Sequence, residues 1–273
     1  MARPTTSPLA FACLVLFSGI VVAQNQQADD VTRQLFEQYI ARQAKISTDS
    51  VMAATHLVAE RGRASGFWKD VLKELKRNNP NSEIGCVRVL GKMLAIDASA
   101  RDSIRRHNET GELSAWHAVV RLGPQVVDEL IERGGKADRF RTDHYTIALA
   151  RARTPKARDF FLSILRVPRS SGPFKNAGVH MDGTKFHAAV GLAQLGDSAG
   201  IDWLIANAEH HGSVLGARPR GTRPGGGLSA CCVEALRQLS GQNGLTSKAE
   251  WTEWSKSVDK KLLINRAVVF GDP

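Results

Sequence analysis

The sequence predicts an all-α chain of stacked two-helix units, an α-solenoid, and three observations predict it. The stretch Thr184–His210, TKFHAAVGLAQLGDSAGIDWLIANAEH, reads as two short amphipathic helices folded back to back. Turn residues recur at Asp97, Gly123, Thr154, Asp197 and Gly241, at separations of 26, 31, 43 and 44 residues. Units of this size are the mark of stacked helix pairs, and the two long intervals read as inserted loops. No period-two alternation of any length occurs, which argues against a β or α/β fold.

The 184–210 unit shows the logic. Phe186, Val190, Ala193 and Leu195 share one face of its first helix, Gly196 breaks that helix, and Asp197 caps the next. Ile201, Leu204, Ile205 and Ala208 then stand at i, i+3, i+4 and i+7. Two helices this short need neighbours of the same kind to bury their apolar faces.

From the start, residues 1–23 read as a secretory signal peptide. Arg3 is the only charge, Leu9–Val22 is almost wholly apolar, and Val21-Val22-Ala23 forms a small-residue cleavage site. The run is short for a membrane span, and a polar stretch follows it at once. Residues 24–81 read as an N-terminal helical cap. Its first helix carries Val31, Leu35, Phe36, Tyr39 and Ile40. A second begins near Thr48-Asp49, and a third, capped by Ser65, carries Trp68, Val71, Leu72 and Leu75 before Asn78-Asn79-Pro80-Asn81 ends it.

Residues 82–246 form the repeat array. Ile84, Val87, Gly91 and Leu94 mark a helix, and a turn at Asp97 leads into a polar second helix ending near Arg106. Trp116, Val119 and Val120 precede Leu122-Gly123-Pro124, with Val127, Leu130 and Ile131 beyond. Proline suits a first helical position, where its missing N–H would have no partner in any case. Tyr145, Ala148, Leu149 and Ala152 precede Thr154-Pro155, and Ala157, Phe160, Phe161 and Ile164 follow. The 184–210 unit comes fourth. In the fifth, Leu228, Cys231, Cys232, Ala235, Leu236 and Leu239 hold a three-turn stripe. Residues 247–273 are a Trp-containing C-terminal cap and tail: Ser247-x-x-Glu250 is a capping box, and Trp251, Trp254 and Val258 follow. The run Leu262–Phe270 is too apolar for a free tail, and either packs back on the last helices or docks with a partner.

The phrases WHAVVRLGPQVVDELIERG, ARTPKARDFFLSIL and FHAAVGLAQLGDSAGIDWLI resemble HEAT repeats of the short bacterial kind, with the turn at Gly-Asp or Gly-Pro. The ending LSGQNGLTSKAEWTEWSKSV resembles the C-terminal cap of exported bacterial HEAT-repeat proteins. The resemblance spans roughly residues 82–258 and implies about five HEAT-like helix pairs in an armadillo-type superhelix with helical caps. It implies a binding role without naming a ligand.

Charge narrows the partner. The formal net charge is +10, and loss of the leader with Arg3 leaves +9. Such a balance suits an anionic partner or simply keeps the surface soluble. In a stacked array the loops between units emerge on one edge, so the insertions at about 167–183 and 210–227 should lie side by side. Arg166, Arg169 and Lys175 belong to the first, and Arg218, Arg220 and Arg223 to the second, which has no acidic residue. These six form the candidate binding set, with arginine forks suited to carboxylate, sulfate or phosphate. Gly225-Gly226-Gly227 lacks the spacing of a phosphate-binding loop.

Catalytic and metal chemistry find little support. His180-x-Asp182, His187 and His210-His211 fall in or near the insertions but match no metal-ligand spacing, and they read as ordinary surface or helix-end residues. No nucleophile elbow occurs. Of the cysteines beyond the leader, Cys231 and Cys232 read as small buried hydrophobes. The sequence therefore favours a non-enzymatic, cofactor-free scaffold for another protein in the periplasm or cell envelope. Behind it stand a binder of acidic polymer (polysaccharide, lipid headgroup or, less favoured after export, nucleic acid) and an enzyme whose site carries no known motif.

Overall fold

The structure is a computed structural model and describes residues 30–38, 40, 58–59, 66–110, 124–137, 139–167, 178–212, 214, 218–222, 226–259 and 266–270. The leader, the helix expected near Thr48-Asp49, the Ser65 cap, Trp116 and the Gly123 turn lie outside these residues. Among the described residues the chain is all-helical, and the only extended pairing is one isolated antiparallel bridge between Pro219 and Phe270. No described helix is long and apolar enough to cross a membrane.

After a helical segment at 30–38, α1 spans Trp68–Lys76 and buries Trp68, Val71, Leu72 and Leu75, the stripe the sequence marks. Asn78 takes a left-handed turn at φ 57°, Asn79 accepts the Asn81 N–H at 3.1 Å, and Pro80 opens α2. Helix α2 runs unbroken over Pro80–Thr110, so the turn expected at Asp97 is absent. The flanking Ala95, Ile96, Ala98 and Ala100 explain why: one aspartate among them costs only a few tenths of a kcal/mol of helix propensity.

Helix α3, Pro124–Lys136, begins on proline as expected, and α4, Arg139–Ala152, buries Tyr145, Ala148, Leu149 and Ala152. Arg153, at φ 46°, turns the chain into a 3-10 turn at Pro155–Ala157 and then α5, Arg158–Arg166. The expected pairing across Thr154 does not hold. Helix α4 packs chiefly on α2, α3 and the following helix α6, Gly178–Gln194, whereas α5 packs on α6.

Helix α6 starts at Gly178, six residues before the expected Thr184, which removes His180 and Asp182 from the presumed 167–183 loop. It ends as the sequence predicts. The Gly196 N–H donates to the Ala193 carbonyl and the Asp197 N–H to the Leu192 carbonyl, both at 3.0 Å, around a left-handed Gly196 at φ 74°. Asp197 then caps α7, Ser198–Ala206, by accepting the Ala199 N–H at 2.9 Å. Helix α8, Leu228–Ser240, closes on Gly241 at φ 74°, and α9, Lys248–Ser257, opens on the full Ser247–Glu250 capping box with Trp251 buried.

Helix α4 packs between α2 and α6; α1 packs on α2, α3 on α4, and α5 and α7 on α6; α8 continues against α6 and α7, and α9 against α7. Two of these contacts are closest at a glycine. A Cβ added to Gly91 of α2 would stand 2.6 Å from the Ala148 Cβ of α4. One added to Gly191 of α6 would stand 2.6 Å from the Phe161 ring of α5. Two apolar clusters meet at α6: Ala188 and Leu192 belong to the cluster of α1–α5, and Phe186, Ala189, Val190 and Ala193 to that of α7–α9.

Candidate functional site

Three of the six predicted binding residues are described. Arg166 ends α5 with its side chain exposed. Arg218 is half-buried, its guanidinium donating to the Val214 carbonyl at 3.2 Å, so its fork is partly engaged inside the molecule. It also faces Cys231, whose thiol burial pushes up against the opposing pull of Arg218 and Thr222. Arg220 is exposed and forms no ion pair with any described residue. Arg169, Lys175 and Arg223 lie outside the described residues. Arg218 and Arg220 share one short segment, and no described contact joins them to Arg166.

That segment is tied down. Thr222 closes a turn on the Pro219 carbonyl at 2.8 Å, and the Arg220 carbonyl accepts from Gln238 Nε2 at 2.7 Å. Its other edge carries the C-terminal residues 266–270. The Arg220 N–H donates to the Val269 carbonyl at 2.6 Å, beside the Pro219–Phe270 bridge. The apolar run that the sequence could place either on the last helices or on a partner thus lies, over 266–270, on the molecule itself.

The C-terminal residues touch α4, α6 and α8, through Arg151, His187 with Gln194, and Gln238. The Arg266 guanidinium sits over Gly241 at the α8 C-terminus, where the helix dipole favours a cation. The Val268 N–H donates to Gln194 Oε1 at 2.9 Å and the Val269 N–H to Gln238 Oε1 at 2.7 Å. Successive N–H groups of an extended chain point opposite ways, so the segment runs between the two glutamines. Each glutamine also donates onward: Gln194 to the Ala150 carbonyl at 3.0 Å, Gln238 to Arg220. Side chains alternate in the same register. Val268 is buried in the second cluster, Val269 is 49% exposed, and Phe270 lies half-buried with its ring 5.7 Å from His187 and 5.8 Å from the Arg151 guanidinium.

His187 is correspondingly not a surface residue: it is 0% exposed, with Nδ1 at 3.0 Å from Asp143 Oδ1. Its neighbour His144 is held down to about 4, by burial first and the Arg88 charge second, with Asp143 opposing. Asp182 is buried, 3.9 Å from His210 Nε2. Among the described residues no three His, Cys, Asp or Glu side chains converge as metal ligands do.

Elsewhere, a cleft of about 440 Å³ opens between the 30–40 segment and α1. Its lining is apolar at Phe36, Ile40 and Phe67 and otherwise balanced, Arg33, Lys73 and Arg77 against Glu37, Asp70 and Glu74, so it selects no sign of charge.

Sequence reasoning missed the two glutamines, although a signal existed. They stand in like positions of successive units, Gln194-Leu195-Gly196 and Gln238-Leu239-Ser240-Gly241, just ahead of the turn. Compared with known proteins, the chain matches no family model, no curated protein and no solved structure.

Proposed function

We propose that the chain is a non-enzymatic scaffold, an α-solenoid of HEAT-like helix pairs, that holds another protein in the periplasm or cell envelope. The observation that supports this reading is the succession of helix contacts: α2 on α4 and α4 on α6, with α1, α3, α5 and α7 each packed on one of these three. Such an array offers one broad helical face and one loop edge to a partner. The HEAT-like phrases support the repeat reading, and the leader-like residues 1–23 support export. Arg220, exposed on a segment anchored at both edges, is the best placed of the predicted cations, because a fixed strand spends little entropy on binding.

The test is affinity capture from envelope extract with the mature chain and an Arg220→Ala/Arg223→Ala variant side by side. One protein retained by the wild type and lost by the variant is the expected result. Capture of no protein, with affinity for anionic glycan or lipid that collapses as salt rises, would replace the scaffold with a polymer binder. N-terminal sequencing of the secreted chain should begin at Gln24; an intact Met1 in the membrane fraction would contradict export.

A further inference from the structure

We infer that the channel between the C-terminal turns of α6 and α8 is a receptor for an extended protein segment of the pattern aliphatic–any–aromatic, and that Val268–Phe270 is its resident intramolecular competitor. This deepens the scaffold reading and rests on it. The geometry is that of strand addition, in which main-chain hydrogen bonds give affinity and alternate side-chain pockets give specificity. Three main-chain bonds hold the segment, to Gln194, Gln238 and the Arg220 N–H. None of them depends on the side chains of residues 266–270, so any extended chain satisfies them.

Selectivity comes from the two inward positions. The Val268 position opens into the apolar cluster of α6–α8 and admits a β-branched or aliphatic group. The Phe270 position lies between the His187 ring and the Arg151 guanidinium, a cation–π arrangement that favours an aromatic. The middle position faces solvent, so its identity is free. The two glutamines are held independently of the segment: Gln194 donates to the Ala150 carbonyl and Gln238 to Glu234 Oε1 of its own helix at 3.1 Å. A partner strand therefore meets fixed acceptors, and its main obstacle is the tethered segment, present at an effective concentration in the millimolar range.

The experiment uses the mature full-length chain and a fluorescent synthetic peptide, NRAVVFGDP, with a scrambled peptide as control. A Val268→Ser/Phe270→Ser variant weakens the resident segment without touching the receptor. It should bind the peptide at least ~10-fold more tightly than the wild type, because the tethered competitor is lost. Adding Gln238→Ala to that variant should remove at least ~10-fold of the gain. Equal binding of the scrambled peptide, or no binding by a variant that keeps its helical circular dichroism, overturns the inference. Should the variant unfold, hydrogen exchange of the wild type decides. The Val268 and Val269 amides should exchange at least ~100-fold faster than those of residues 186–193, reporting local release. Equal protection would mean that the segment opens only on global unfolding, and the inference falls. Failure here with Arg220-dependent capture intact leaves the scaffold reading standing; failure of capture removes both.

Discussion

Helices α2 and α6 both pack on α4, yet they are finished differently. On α2, Ile84, Arg88, Lys92 and Ile96 form a stripe that stays partly exposed. On α6, every residue from 182 to 194 is buried, including Lys185, His187 and Gln194. The interior sides do not differ in this way, since both helices use a glycine to approach a neighbour. What separates them is cover. The 266–270 segment lies over α6 at His187 and Gln194, and each of these has a further partner: His187 Asp143, and Gln194 the Ala150 carbonyl. Polar residues on a helix thus report either water or a partner, and sequence alone does not say which.

The largest expected effect tests the shared interior. Gly91→Ala and Gly191→Ala should each destabilise by about 3 kcal/mol, since the new methyl meets Ala148 or the enclosed Phe161 ring within van der Waals contact. Chemical denaturation measures both. A large loss at only one position would extend the difference between the two helices into the core.

Next comes the cover itself. Gln194→Ala should cost about 2 kcal/mol, because it strands the buried Val268 N–H and takes from the Ala150 carbonyl the shorter of its two bonds, leaving only the Arg153 N–H. Hydrogen exchange should show the loss concentrated at 266–270. A cost below about 0.5 kcal/mol, the range of ordinary surface changes, would mean that water replaces the glutamine freely.

A smaller effect depends on pH. His144 sits between the two regimes, with Arg88 on α2, Asp143 on its own helix and His187 on α6 acting on it. Its folded value, about 4, lies below the ordinary 6.5, so between these values the unfolded chain binds the proton and the folded chain does not. The neutral ring's contribution is complete above pH 6.5 and lost as pH falls towards 4. Because the ring keeps some exposure, the expected loss from pH 7 to 5 is only about 1 kcal/mol. In His144→Gln that part of the pH dependence should vanish; if it persists unchanged, another group carries it.

Much of this architecture was legible in the residues, and the illegible part has a common cause. Local punctuation read well: Pro124, the Gly196 and Asp197 turn, Gly241, and the Ser247–Glu250 box each stand where backbone chemistry requires. The stripes of α1 and α8 read equally well, because three- and four-residue spacing is a local property. Asp97 misled because a weak helix former between good ones does not stop a helix whose apolar side is held by α4. His187 and Gln194 were invisible for a different reason. Their partners lie 44 and 74 residues away in sequence, on Asp143 and Val268. The candidate cations read only in part: composition finds an arginine but not whether its fork is already engaged, as at Arg218, or free of ion pairs with described residues, as at Arg220.

The smallest expected effect is the sharpest test of the contrast. Arg88→Ala removes a partly exposed cation from the α2 stripe. Exposed substitutions of this kind change stability by at most about 0.5 kcal/mol, so the denaturation midpoint should barely move. The substitution must nevertheless be felt by His144, because the Arg88 charge helps to hold that ring neutral. NMR titration should therefore show the His144 pKa rising from about 4, while remaining below 6.5, since burial is the larger cause and is untouched. The paired readout separates two pictures. A stability loss matching that of Gln194→Ala would mean that the α2 stripe is covered as α6 is. An unmoved His144 would mean that burial alone holds the ring neutral and that the Arg88 charge on α2 does not reach it.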